Sequence, residues 1–477
     1  MNYRIASIAF FTATLGACAS GGSIAVKPAA APPGVAPAPA AVQQNADLNG
    51  PFETVPRMLT SELAPGLDLT GPGYRISTDA AIVDYYGQFE MRSDMGTLTA
   101  DGTQELRLRV RELPAVRTLD QVTTTEVFTD AVSRGVEKPA DAVQQVATQP
   151  KETLAGLPEG IGRFLVRSAR NIKDLALDIN DAAVNAREKS DTEEEEEAAV
   201  AQERRSARAQ KIATSATLNY IGYNKARREI AREVGADPYS TNPLLDERLD
   251  RLAWASWSGA KLSGLTIGLI GGVAGQALGY ARDAYRLVWE LPPEDLKRRN
   301  LEVLADLGIA GKPARDLVRR SKAFTLTQQT EFVELLRLPL FAPARGELFD
   351  LALAAEREIH ARFLIDAMRM LKNVAEDEHR TRAQATVIGA SPALRLRDGS
   401  YVMALPVDYL YWSPEIAQFV WRDDLIGRRN RILVTGSVSP QALDAFSQAG
   451  WIVRERIDPY RKEVEEEAAQ TAPLRGM

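Results

Sequence analysis

Apolar and polar positions change period several times along the chain. Between about Pro51 and Leu119 the pattern is short alternating runs. Tyr74-Arg75-Ile76, Ile82-Val83-Asp84-Tyr85-Tyr86, Phe89-Glu90-Met91 and Thr97-Leu98-Thr99 predict short strands, with Gly87, Asp94 and Gly96 punctuating the turns. Asp101-Gly102-Thr103 then opens a helix in which Leu106, Val110, Leu113, Val116 and Leu119 fall near helical spacing. Pro114 is expected to kink or end that helix, because proline lacks an N–H and its ring meets the preceding turn. The predicted unit is a small sheet under one helix, running on as helix and loop to about Gly160.

From about Gly160 to Val234 the period is helical, interrupted around Asp191-Thr192 and by a run of acids from Glu193 to Glu197. Acids ahead of Arg204, Arg205, Arg208 and Lys211 suit a helix dipole, with Thr192 as the cap. A calcium site would need carboxylates converging from a loop, so this run reads as a solvated helix start. Asp237-Pro238-Tyr239-Ser240-Thr241-Asn242-Pro243 is a loop, and helix resumes through Leu244, Leu245, Leu249, Leu252 and Ala253. Beyond Pro292-Pro293-Glu294-Asp295, helices are expected over Leu296–Leu307, Ala314–Lys322, Thr327–Leu338 and Gly346 to about Ala385. Gly308, Gly311 and Pro313, then Pro339 and Pro343, mark the breaks.

From about Thr386 the period shortens again. Thr386-Val387-Ile388, Leu394-Arg395-Leu396 and Tyr401-Val402-Met403-Ala404-Leu405 predict strands, with a hairpin turn at Arg397-Asp398-Gly399-Ser400. Arg431 to Gly436 predicts a strand, Ser439-Pro440 to Ala449 a capped helix, and Gly450 to Arg454 a second strand: a small βαβ unit. The expected fold class is α+β and mostly helical. Its parts are a small N-terminal sheet-plus-helix domain (51–160), a long bundle-like helical middle (161–385) and a short C-terminal α/β module (386–460) with a charged tail (461–477).

Charge narrows the functional classes. The 58 basic and 64 acidic residues leave a net charge of −6, arranged in local blocks, so nucleic-acid binding is not expected. A single cysteine excludes an internal disulfide framework and thiolate zinc sites.

That cysteine carries the clearest motif. Met1-Asn2-Tyr3-Arg4 is a short positive start, and Ile5 to Leu15 is an uncharged, largely apolar stretch of secretory-signal length, too short for a bilayer span. Leu15-Gly16-Ala17-Cys18 follows and resembles the lipobox of bacterial lipoproteins. The resemblance covers about the first twenty residues. It implies removal of residues 1–17, a diacylglyceryl group on the Cys18 thiol and a further acyl chain on its amine. Ala19, where an aspartate would favour inner-membrane retention in enteric lipoproteins, points to the outer membrane, with the body in the periplasm. Residues 18–50 form an Ala/Pro-rich stretch that cannot bury a core and reads as an extended tether. The partners this implies are the lipid bilayer, through the anchor, and other envelope proteins.

One apolar stretch stands apart. Leu262 to Ala281 is free of charge, bracketed by Lys261 and Arg282, with Gly264, Gly268 and Gly272 in one ladder and Gly271, Gly275 and Gly279 in another. Such ladders let helices approach closely. Ser263, Thr266 and Gln276 with the many glycines favour a buried packing helix over a membrane span.

No catalytic constellation is legible, and neither a metal nor a cofactor is expected. His360 and His379 lie too far apart on one helix to meet at an ion without outside partners, and no HExxH pattern exists. Gly436-Ser437-Val438-Ser439 partly resembles a nucleophile elbow but lacks its second glycine, and Ser439 reads better as a helix cap. The sequence therefore leans away from an enzyme and towards a structural or interaction role at the envelope. The alternatives are an envelope hydrolase assembled from distant residues, or a membrane-perturbing protein that uses the glycine-rich stretch.

Overall fold

A computed structural model describes residues 51–54, 57–123, 222–257, 282–378 and 383–462. The N-terminal sheet contains β1 (Arg57–Leu59), β2 (Thr70–Gly71), β3 (Tyr74–Ile76), β4 (Asp79–Val83), β5 (Tyr86–Ser93) and β6 (Gly96–Asp101), all paired antiparallel. The longest strand, β5, organises it. Its first residues pair with β4, its last with β3, and β6 runs along its other edge. A short α1 (Thr60–Leu63) and the long α2 (Thr103–Thr123) complete this part. Alternate side chains of the sheet (Ile76, Phe89, Met91, Leu98) meet Leu106 and Leu113 of α2, the single-helix cover that the 2-to-3.6 period change predicts.

Two local expectations are corrected here. Ile82 to Tyr86 is not one strand. Val83 pairs with Tyr86, so Asp84 (φ 51°) and Tyr85 (φ 72°) form a two-residue turn, and Gly87 lies inside β5. A two-residue hairpin with both central residues at positive φ normally recruits Asn or Gly, so the sequence carries no sign of it. Pro114 does not end α2, which runs through it to Thr123. Val116 and Leu119, beyond the proline, are fully buried against Leu245, Leu249 and Leu252, and this burial outweighs the local penalty.

Helical residues 222–233 (α3) and α4 (Pro243–Trp257) pack on that far half of α2. Asn242, read in the sequence as part of the preceding loop, caps the start of α4, where Pro243 takes the first turn. Its side-chain oxygen accepts the backbone N–H of Leu244 at 3.0 Å. The succeeding helices are α5 (Arg282–Glu290), α6 (Pro293–Asp306), α7 (Lys312–Arg320), α8 (Leu326–Arg337), α9 (Arg345–Leu353) and α10 (Glu358–Asp377). Thr325 and Gln328 form a reciprocal capping box on α8. Gly308 (φ 84°) and Gly311 (φ 81°) make the break before α7, and Pro339–Ala344 is a 3-10 turn, as the proline pair suggests. The expected helix from Gly346 to about Ala385 is two helices. The chain leaves helix between Leu353 and Glu358, and α10 ends at Asp377; Ala385 belongs to a strand.

The C-terminal sheet has strand order β13-β11-β9-β8-β7, with β7 (Gln384–Ile388), β8 (Ser391–Arg395) and β9 (Tyr401–Leu405) antiparallel, and β9, β11 (Arg431–Val434) and β13 (Ile452–Arg454) parallel. Two crossover helices, α11 (Pro414–Val420) and α12 (Pro440–Gln448), connect the parallel strands, and a small ribbon pairs β10 (Tyr409–Leu410) with β12 (Ser437–Val438). Period-2 alternation sorts the faces. Val402, Ala404 and Leu433 join the core with Leu364, Met368 and Leu371 of α10, while Met403, Leu405, Ile432 and Val434 face Ile416, Ala442 and Phe446. The module is thus a three-layer α/β/α stack, and one face of its sheet is continuous with the core of the helical middle. Helix predominates throughout an α+β fold.

Candidate functional site

Several of the residues singled out above, namely Cys18, residues 18–50, His379 and Leu262–Ala281, lie outside the described residues. His360 is 3% exposed on α10, and its Nδ1 accepts the backbone N–H of Glu356 at 3.3 Å. Burial, aided by the charge of Arg357, pushes its pKa down to about 4, so it sits as a neutral packing imidazole at physiological pH. Ser439 caps α12, accepting from the N–H of Ala442 at 3.1 Å, and its hydroxyl also bonds the Glu53 carboxylate. Gly436 has a separate explanation. A Cβ there would lie 1.8 Å from the carbonyl oxygen of Asp408, so glycine admits the backbone approach that joins β10 and β12. Ser437 follows inside that ribbon and Ser439 at a helix cap, in place of the strand-to-helix elbow of a nucleophilic serine.

What the structure does assemble is a junction between the N-terminal sheet and the C-terminal module. Asp408, 2% exposed, reaches the start of α2. Its carboxylate accepts from the N–H of Gly87 (2.9 Å), the N–H of Thr103 (3.0 Å) and the hydroxyl of Thr103 (2.6 Å), and so caps a helix 305 residues earlier in the chain. The β4–β5 turn enters from the other side. The Tyr85 hydroxyl and Ser413 Oγ are 2.6 Å apart, and the Tyr85 carbonyl accepts the N–H groups of Asp408 and Tyr409, both at 3.0 Å. The Tyr86 hydroxyl donates to the carbonyl of Pro406 at 2.6 Å. These bonds, with the burial of both tyrosine rings, hold the left-handed Asp84-Tyr85 backbone, which costs roughly 1–2 kcal/mol per residue outside glycine.

Beside it runs a lattice of buried charges. Arg109 of α2 meets Glu105 and Glu112 on its own helix and Thr241 Oγ1 at 2.8 Å. Glu112 accepts from Asn242 Nδ2 at 2.9 Å, while Arg362 on α10 bridges Glu358 and Glu105, and Gln328 of α8 donates to Glu358 at 3.0 Å. One network therefore ties α2, the 237–242 loop, α8 and α10 together. Asp237 accepts the Tyr239 N–H and the Thr327 hydroxyl, both at 2.8 Å. A second knot lies between α8 and α10, where Arg369 pairs with Glu331, stacks 4.5 Å from the Tyr460 ring centre, and shares Tyr460 with Asp366.

Three aspartates in this framework are driven up by burial: Asp237 and Asp366 to about 7, and Asp408 to about 6 in spite of its three donors. Their ordinary value is 3.8, so near neutrality the native chain binds protons that the unfolded chain does not. Stability is therefore expected to rise as pH falls from about 8 to 6.5, and to be lower above the folded-state values. His360 opposes this only below about 6.5, where the unfolded imidazole begins to charge while the buried one stays neutral. Thermal midpoints measured across this range check the sign; a midpoint that climbs from pH 6.5 to 8 would contradict it.

A further feature is a pocket of roughly 230 Å3 in the C-terminal module, between α11 and the β7–β8 turn. Ile388, Met403, Leu405 and Ile416 form its apolar floor; Glu415 and Arg422 stand at its mouth. Its rim turns at Gly389 (φ 62°) and Ala390, with glycine at the first central position that a two-residue hairpin of this hand requires. The pocket lies beside β9, the strand at which pairing switches from antiparallel to parallel.

Among the described residues no group of three or more His, Cys, Asp or Glu side chains is placed to hold a metal ion, and no helix is long and apolar enough to cross a membrane. The chain matches no protein-family model, no curated protein and no solved structure.

Proposed function

We propose that the chain is a lipid-anchored protein of the bacterial envelope with a structural or interaction role. The observation that carries this reading is Leu15-Gly16-Ala17-Cys18 at the end of an uncharged apolar stretch, followed by an Ala/Pro-rich spacer. Thioether formation needs a sulfur nucleophile, and Cys18 is the only sulfhydryl in the chain. Two or three acyl chains give the stable anchoring that one chain does not. Residues 18–50 then act as a tether that holds the body off the membrane surface, outer membrane by the identity of Ala19.

The interaction role is supported by the way the body spends its ionisable groups. Arg109, Glu112, Glu331, Arg369 and Asp408 are all nearly inaccessible and serve contacts between elements. Groups used in this way hold a shape. Such a shape suits a body that presents a surface to a partner.

Cys18→Ser is expected to abolish acylation, because the serine hydroxyl is a far poorer nucleophile than a thiolate. Metabolic labelling with an alkyne fatty acid, followed by membrane fractionation, tests it. The expected result is loss of label and accumulation of uncleaved precursor. Undiminished label on the serine variant would end the reading.

A further inference from the structure

The pocket beside α11 has two features that together specify a class of ligand. The first is its floor. Ile388, Met403, Leu405, Ile416 and Phe419 line an open space of roughly 230 Å3, with Met403, Leu405 and Ile416 nearly inaccessible and Phe419 the more exposed apolar side chain. An apolar cavity of about 150 Å3 accepts a benzene ring, so one ring with a short chain fits. The second is the charge at the mouth. Arg422 is engaged in a two-pronged contact with Asp424, Nε to Oδ1 and Nη2 to Oδ2, both at 3.0 Å. Glu415, one of the pocket's lining residues, has no hydrogen bond or ion pair among the described residues. The negative charge at the mouth is therefore left without a counter-charge, while the positive one is already matched.

An ammonium group gains from the Glu415 carboxylate, whereas a carboxylate ligand meets repulsion from it.

We propose that this pocket binds a small amphiphile with an apolar body of about one ring and a protonated amine head, the body seated against Ile388 and Phe419 and the ammonium paired with Glu415. The proposal stands independently of the lipid anchor, since it rests only on the C-terminal module.

Phenethylamine, phenethyl alcohol and phenylacetate are the probes, matched in ring and chain length and different in charge. Each is titrated against the purified mature protein by ligand-observed NMR, with thermal melting to confirm that every variant is folded. Phenethylamine is expected to bind saturably and about tenfold more tightly than phenylacetate. Glu415→Gln should reduce that preference to near unity, and Glu415→Lys should reverse it. Gln418→Trp, at an exposed lining position, should block all three probes. Absence of saturable binding by the amine overturns the proposal. So does binding that ignores charge, or binding that survives Gln418→Trp unchanged and hence occurs elsewhere.

Discussion

Replacing Arg369 by methionine is expected to destabilise the fold by about 3–5 kcal/mol, read as a lower midpoint in urea unfolding at an unchanged slope. The guanidinium is 2% exposed and its partner Glu331 is 1% exposed, so removal leaves a carboxylate buried without its counter-charge. The methionine stem can fill much of the same volume, which separates the charge effect from loss of packing. The double variant Glu331→Gln with Arg369→Met should recover a large part of the loss, because no isolated ion then remains. A double variant as unstable as the sum of the two singles would show that packing, not pairing, sets the cost. The knot also holds the chain beyond β13: Tyr460 donates to Asp366 at 2.7 Å, and Asn373 Nδ2 donates to the carbonyl of Pro459 at 3.0 Å. Arg369→Met should accordingly raise protease susceptibility near Tyr460 at conditions where the rest of the protein resists.

Asp408→Ala is expected to cost a similar amount, about 3–5 kcal/mol, by a different route. It strips acceptors from two backbone N–H groups and one hydroxyl that are all buried, each orphaned donor costing roughly 1–3 kcal/mol. It also removes the cap from α2, and with it a bond between the two ends of the fold. The amide variant Asp408→Asn separates these contributions. Its single oxygen can still serve Thr103, but its NH2 would face a donor, so an intermediate loss is expected. Hydrogen exchange localises the effect. The N–H groups of Gly87 and Thr103 should lose protection in both variants, while those in β9 and β11 keep theirs at mild denaturant concentrations. Uniform loss across the molecule would mean that the junction is not a separable unit.

Both residues show where reading the chain stops short. The fold class was legible because it rests on local periods. Alternation in Phe89-Glu90-Met91 and in Tyr401 to Leu405 marks half-buried strands, and Leu245, Leu249 and Leu252 mark one face of a helix. Caps were equally local. Ser439 before Pro440 acts within three residues, so its role can be read without knowing the rest of the molecule. The hairpin at Asp398-Gly399 and the β11-α12-β13 unit follow from the same short-range rules.

The junction and the pocket could not be read in this way. Asp408 follows Leu405-Pro406-Val407 in an ordinary strand exit, and nothing within ten residues says that it caps α2. The Asp84-Tyr85 turn breaks the usual preference for Asn-Gly, because contacts with Ser413, Asp408 and Tyr409 pay for a strain that local sequence would refuse. Pro114 stays within α2 for a related reason: burial of Val116 and Leu119 is decided by α4, more than a hundred residues away. The pocket is lined by the β7–β8 turn, β9 and α11, segments whose meeting has no residue signature. Short-range sterics and hydrogen bonding write themselves into spacing along the chain. Burial of a charge, relief of a strained turn and the lining of a pocket depend on which distant segments meet, and that is settled only when the chain has folded.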